Sequence, residues 1–232
     1  GFRFMSIWIL AYHLYHYYQK EVVTAKENAQ LTIIAKQAQL DNLSAQLNPH
    51  FLFNSLNSIS SLTLDKPSDA REMLVKLSSF LRYSLEFNEN QLTKLPDELD
   101  HIKQYMEIEK VRFTDRLIYE IESPDDCKDC LVPNMILQPL FENAIKHGVY
   151  ESLDPVLIKT DIRTEDNFLR ISVKNTFDPE APPRSGKGIG LKNVANRMSL
   201  IYQAENLVHV NKSEQSFEVI LFIPQNMNSD EI

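Results

Sequence analysis

"AQLNPHFLFNSLNSI", Ala45–Ile59, sets a proline directly before a histidine, and the histidine opens an amphipathic run. Counting at helical spacing from His50, the residues at i+4, i+7 and i+11 are Asn54, Asn57 and Ser61, a continuous polar face. Leu52, Leu56 and Ile59 share another face, with Phe53 beside them, and suit packing in a helical bundle. Pro49 has no N–H and crowds the carbonyl of Ala45. It therefore kinks a continuous helix or starts a new one, with Asn48 as N-cap. His50 is expected to point away from the core. By itself, a histidine so placed reads as a solvated residue as readily as a functional one.

Upstream, Ile33, Leu40 and Leu47 recur every seven residues, with Val22, Ala29 and Leu43 at interleaved positions and Lys26 and Lys36 interrupting the seam. Residues 21–47 are expected to form a signalling helix that pairs with a second copy as a weak coiled coil. Phe4–Tyr18 is almost wholly apolar or aromatic, yet shorter than the roughly 20 residues that span a bilayer. Trp8, the tyrosines and Lys20 resemble an interfacial belt. Residues 1–20 are read as the end of a transmembrane or membrane-proximal helix, the alternative being a buried amphipathic helix. The chain after about residue 20 is expected in the cytoplasm.

Downstream, "DKPSD" (65–69) breaks the helix, and a second one is expected over 70–87 with Met73, Leu74, Leu77, Phe80, Leu81 and Leu85 as its apolar face. Residues 48–95 thus form a helical hairpin, and two such hairpins from a dimer make a four-helix bundle. "LPDELDHIKQYMEIEKVRF" (95–113) predicts a linker helix over 96–116, opened by Pro96 and acidic residues. From 117 to 225 the pattern changes to strands at 117–122, 156–163, 168–175, 206–211 and 216–224, with helices at 133–147 and 190–203. The class is α+β: a helical hairpin followed by a two-layer α/β sandwich. Residues 226–232 read as a disordered tail.

Composition narrows the function. The chain has 232 residues, 43% hydrophobic and 24% charged, with a net charge of −8. It offers no basic stripe for phosphates of nucleic acid. Two cysteines make no disulfide framework. "CKDC" (127–130) lacks a second pair for a zinc site, and His13, His16 and His101 are read as structural.

Two further stretches carry chemistry. In "LVPNMILQPLFENAIKHGV" (131–149), Pro133 is expected to start a helix that buries Leu137, Leu140, Phe141 and Ala144 and sets Glu142, Asn143, Lys146 and His147 opposite. A carboxylate and an amide oxygen are hard ligands that suit Mg²⁺. In "RSGKGIGLKNVANRM" (184–198), Gly186, Gly188 and Gly190 hold three of the five glycines. They let backbone approach a ligand, while a helix beginning near Gly190 offers free N–H groups to an anion. It is not a Walker A loop, because no hydroxyl residue follows the "GK".

Together, "QLNPHFLFNSLN", "LQPLFENAIKHG" and "GKGIGLKNVANRM" resemble, in this order, the LytS-like sensor histidine kinases, and "EIEKVRF" (107–113) is similar to their linker. The resemblance spans about residues 30–224. It implies a GHKL-type ATP-binding fold, shared with gyrase and the mismatch-repair ATPases. It implies His50 as phosphoacceptor and Asn143 as the residue holding Mg²⁺ on ATP. Glu142, Lys146, His147, Asn175, Gly186, Lys187, Gly188, Gly190 and Leu191 complete the implied site, with Glu142 limited to metal or water positioning. A homodimer in the bacterial cytoplasmic membrane is implied, with a cytoplasmic response regulator as partner, the LytTR type among the candidates. One departure stands out: where the family carries an aspartate and two spaced glycines, "VKNTFDPE" (173–180) has Asn175 and no glycine. An amide oxygen still accepts one hydrogen bond from an adenine amine. Two other functions are weighed. A water-activating ATPase would need a glutamate where Pro139 stands, and Asn175 motivates a pseudokinase or dimeric signalling scaffold with a degraded ATP site.

Overall fold

The computed structural model describes residues 5, 8, 12–22, 49–85, 91–178 and 189–225. The expected coiled coil, Asn48, Gly186, Lys187, Gly188 and the tail all lie outside them. Two compact units result, Gly1–Pro49 and His50–Ile232. In the first, residues 12–22 are helical and expose Tyr12, Leu14, Tyr15, Tyr17, Tyr18 and Val22. Among the described residues no helix is long and apolar enough to cross a membrane.

The second unit begins at His50, the second residue of α1 (Pro49–Asp65), which Lys66 alone separates from α2 (Pro67–Leu85). Proline at the first position of each fits, since its missing N–H would be unpaired there anyway. Phe51, Ser55 and Ile59 form the buried face of α1, and Ala70, Met73, Leu77 and Phe80 that of α2. Phe53 and Leu56, expected among the packing residues, stay exposed within a single chain, as do Leu64, Leu74 and Val75. The face turned inward is the one that follows Phe51.

Helix α3 (Leu95–Phe113) is the hub, burying Leu95, Leu99, Ile102, Tyr105, Met106 and Ile108. The Phe80 ring stacks on His101 at 4.5 Å and meets the Phe51 ring at 5.1 Å. Phe51 in turn lies 5.1 Å from Tyr105. Lys76 also bridges from α2 to Glu107 at 2.7 Å. The aromatic set, rather than this part-exposed ion pair, fastens the hairpin to α3.

Five strands make one sheet in the order β2 (Leu117–Glu120), β4 (Val156–Glu165), β5 (Phe168–Thr176), β7 (Ser216–Pro224), β6 (Val208–Lys212). β2 and β4 are parallel and the other pairs antiparallel. Asp166 and Asn167, both at positive φ, close the β4–β5 hairpin, as two-residue hairpin loops require. Ile158, Thr160 and Ile162 of β4, Leu169, Ile171 and Val173 of β5, and Val219, Leu221 and Ile223 of β7 fill one buried face. The other face carries Arg170 paired with Asp161 at 2.6 Å and Ser172 donating to Glu218 at 2.6 Å. One dry face and one wet face define a two-layer α/β sandwich, with α4 (Gln138–Ala144) and α5 (Ile189–Tyr202) packed on the dry side.

A second, two-stranded sheet pairs β1 (Leu92–Lys94) with β3 (Leu131–Pro133). The sequence pattern predicts neither strand, and it places a helix start at Pro133. In the structure Pro133 ends a strand, and α4 starts at Gln138, with Pro139 in its first turn. The cause is Glu98 of α3. Its carboxylate accepts the N–H of Met135 at 2.8 Å and of Leu137 at 3.0 Å, and it holds Met135 at a φ of 55°. A left-handed residue there stops the helix from beginning sooner.

Truncating Phe80 to Ala empties the centre of the aromatic set. We expect a loss of about 3–5 kcal/mol in denaturant-measured stability; a loss below about 1 kcal/mol would show that the hairpin is fastened elsewhere.

Candidate active site

Helix α4 buries Leu140, Phe141 and Ala144, as the spacing predicts. It then widens into a single π turn, Ile145–Val149, with Tyr150 N–H bonded to the Ile145 carbonyl at 3.1 Å. Such turns are enriched at functional sites because they shift side chains off the helical repeat. Glu142, Asn143 and His147 are half-buried, and Lys146 is exposed. Glu142 is less free than expected. It accepts Gln138 Nε2 at 2.8 Å, and Gln138 Oε1 lies 3.1 Å from His101 Nε2. The Gln138 carbonyl oxygen can only accept, so His101 carries its proton on Nε2. Burial drives His101 down to about 4, keeping it neutral, and pushes the Glu142 carboxyl up. His147 Nδ1 lies 3.2 Å from Glu151 Oε1.

Asn175 sits on the dry face of β5, opposite Ile158 and Phe217. It is 2% exposed and donates Nδ2 to the Thr176 carbonyl at 3.0 Å. Gly148 of the π turn lies directly against it. A Cβ at 148 would stand 3.0 Å from Asn175 Nδ2, 3.0 Å from Val156 Cγ1 and 3.1 Å from the Thr176 oxygen. The fold therefore brings the end of "FENAIKHG" onto Asn175. At the other side, Gly190 is exposed with open space around it, and Leu191 packs on the core. Gly186, Lys187 and Gly188 lie outside the described residues.

His50 is exposed at the start of α1. Its Nδ1 is 3.2 Å from Asn54 Nδ2, one turn along the polar face. Its ring lies 5.8 Å from that of Tyr150, just past the π turn. The Tyr150 hydroxyl accepts a hydrogen bond from Arg112. The acceptor candidate thus touches the residue that ends the asparagine-bearing segment. Sequence reasoning misses Tyr150 and Arg112; only the "VRF" at the end of α3 hints at a junction. Arg116 Nη2 donates to the Val149 carbonyl at 2.6 Å and to that of Ser152, steadying the same turn.

Among the described residues no group of three or more His, Cys, Asp or Glu could cage a metal. Asn143, half-buried on an accessible helix face, offers one hard oxygen. That donor set fits an ion whose remaining ligands come from phosphate and water, as Mg²⁺ prefers. Cys127 is buried with its thiol pushed up by burial, and Cys130 is half-buried.

Replacing Gly148 by Ala forces a methyl against two adjacent strands that cannot both retreat. Stability should fall by about 1–3 kcal/mol, read as a lower denaturant midpoint; an unchanged midpoint would mean that the turn relaxes freely. A pH profile is also expected. Burial raises Glu98 and Glu109 to about 7 from an ordinary 4.5. Between those values the folded chain holds protons that the unfolded chain has released, so stability falls as pH rises from 4.5 to 7. The slope is about 1.4 kcal/mol per pH unit for each proton held. Glu98→Gln should make the slope shallower across that window, and an equal slope would exclude Glu98 as a holder.

The histidine kinase family profile matches residues 38–117. Over 206 residues the chain is 38% identical to the sensor histidine kinase YpdA of Escherichia coli, covering 84% of this chain and 36% of that one. It is 31% identical over 216 residues to the sensor protein LytS of Oceanobacillus iheyensis, covering 87% of this chain and 37% of that protein. The chain therefore spans little more than a third of the length of these curated relatives. A solved catalytic domain of the histidine kinase ThkA matches at a TM-score of 0.44 and 17% identity, covering 58% of this chain and 95% of that one. By its motifs and by these sequence matches, the chain belongs to the LytS-like sensor histidine kinases.

Proposed function

We propose that the chain is the kinase portion of a two-component sensor: it transfers the γ-phosphoryl group of ATP to His50 and relays it to an aspartate of a response regulator. The observation that carries this reading is the approach of the His50 ring to the Tyr150 ring, 5.8 Å between centres. An acceptor must leave the core and still reach the nucleotide-binding half, and His50 is exposed while touching that half. Phosphoryl transfer asks little covalent chemistry of the protein, so placement and charge dominate.

In this reading Asn143 holds Mg²⁺ on ATP, Lys146 meets the phosphates, and Gly186, Lys187, Gly188, Gly190 and Leu191 form the loop around them. Mg²⁺, when bound, offsets charge on the triphosphate. Burial pushes the Glu142 carboxyl up, and its hydrogen bond from Gln138 ties it in place, so it serves as a positioning group. Asn175 accepts from the adenine amine. The exposed Phe53, Leu56 and Leu64 of α1, with Leu74 and Val75 of α2, form the surface on which a second copy completes a four-helix bundle. The membrane is reached through residues 1–20, and the response regulator, the LytTR type included, is cytoplasmic.

Incubation with γ-labelled ATP should label the wild-type chain on His50. His50→Gln should take no label, and Asn143→Ala should lose at least tenfold in rate. Label retained by His50→Gln would overturn the acceptor assignment. An unlabelled wild type would instead favour the pseudokinase that Asn175 motivates.

A further inference from the structure

Arg112 lies three-quarters buried near the end of α3. Its guanidinium carbon stands 4.8 Å from the centre of the Phe113 ring and 4.6 Å from that of Tyr150. Nη1 donates to the Tyr150 hydroxyl and lies 3.8 Å from Glu109 Oε2. The Phe113 ring meets Tyr150 edge-on at 5.0 Å, fixing the tyrosine plane. Tyr150 is therefore sandwiched among Arg112, Phe113 and His50, and one aromatic ring connects the guanidinium with the imidazole.

Packing alone is a poor reason for this arginine. The guanidinium stays charged at every relevant pH. Its acidic neighbour Glu109 is four per cent exposed and titrates near 7 because burial opposes its charge. The pair is thus incompletely neutralised at neutral pH, and a partly buried cation without a full counter-charge is costly. Such an arrangement becomes favourable where a second anion arrives. Both contacts to Tyr150 and Glu109 use Nη1, whereas a phosphoryl group is gripped by two N–H groups of the fork at once.

We propose that Arg112 is the cation that receives the phosphoryl group on His50, held toward it by the Tyr150 hydroxyl. This rests on the reading of His50 as acceptor. In the step itself, a ring-nitrogen lone pair of neutral His50 forms the N–P bond while the bond from the γ-phosphorus to the bridging oxygen of ADP breaks. ADP departs with that electron pair, and the proton on the other ring nitrogen passes to water. Arg112 exchanges no proton. It stabilises the charge that remains on phosphohistidine, and Tyr150 is its positioning residue.

The test measures a plateau, which a residue that only slows the approach of the two halves would leave unchanged. The 232-residue chain is incubated with labelled ATP and an equal concentration of ADP until label on His50 is constant. Arg112→Gln should lower this plateau at least tenfold, with the KM for ATP within twofold of wild type, and Arg112→Lys should recover part of it. An Arg112→Gln plateau within twofold of wild type overturns the proposal while leaving the acceptor reading intact. Should Arg112→Gln fail to fold, Tyr150→Phe keeps the ring and removes only the anchor for Nη1. Its plateau should fall about threefold, and an unchanged plateau would be equally decisive against Arg112. A wild-type chain that takes no label overturns the acceptor reading and this proposal with it.

Discussion

The carboxylate of Glu98 is the contact on which the architecture turns. It leaves the first turn of α3, where an acid is expected, and captures two backbone N–H groups in the segment before α4. Two forces oppose each other at this group. Hydrogen bonds from the backbone favour the anion, while burial disfavours it, and burial prevails enough to hold Glu98 near 7. Either protonation state still ties α3 to the start of α4. That tie sets where α4 begins, and the start of α4 sets where Asn143, Gly148 and Tyr150 fall.

From this fixed point two junctions follow. On one side, Gly148 comes close enough to β5 that an added methyl would be crowded, which seats the π turn on Asn175. On the other, Tyr150 emerges beside Arg112 and Phe113 and meets His50. The hairpin reaches the same place by a separate route, through the Phe51, Phe80, His101 and Tyr105 rings. Because α3 contributes residues to both routes, a change in how the hairpin lies on α3 bears directly on the surroundings of His50. Tyr83 adds a third connection, donating to Asn134 Oδ1 at 2.7 Å beside the Glu98 clamp.

Much of this is legible in the sequence, where local pattern and burial agree. The pattern places β7 at its observed ends, 216–224, because its apolar run is bounded by turn residues, and α5 differs by one residue at each end from the span it predicts. The three-residue strands β1 and β3 escape because so short a stretch has no period to read. Pro133 misleads because the same fixed φ serves a helix start and a strand end, and the deciding partner, Glu98, is distant in sequence. On α1, periodicity identifies an apolar side but cannot separate the residues a lone chain buries from those left for a partner; Phe51 turns inward and Phe53 outward. The candidate site shows the same division. Asn143 and Gly190 announce themselves by motif, whereas Arg112 and Tyr150 acquire meaning only from contacts between elements.

The neutral side chain at 175 fits its surroundings better than a departure from a family pattern would suggest. Its environment is a dry sheet face between Ile158 and Phe217, closed from above by Gly148. The bond it makes locally is a donation to the Thr176 carbonyl. An aspartate anion has no hydrogen to give to that oxygen, and two acceptors would face each other across 3.0 Å in a buried setting, where an unpaired charge is most costly. The amide resolves the conflict by dividing its ends: Nδ2 satisfies the strand, and Oδ1 remains an acceptor of the kind an exocyclic amine requires. An amide at 175 is therefore a polar side chain that this dry sheet face accommodates without a buried, uncompensated charge.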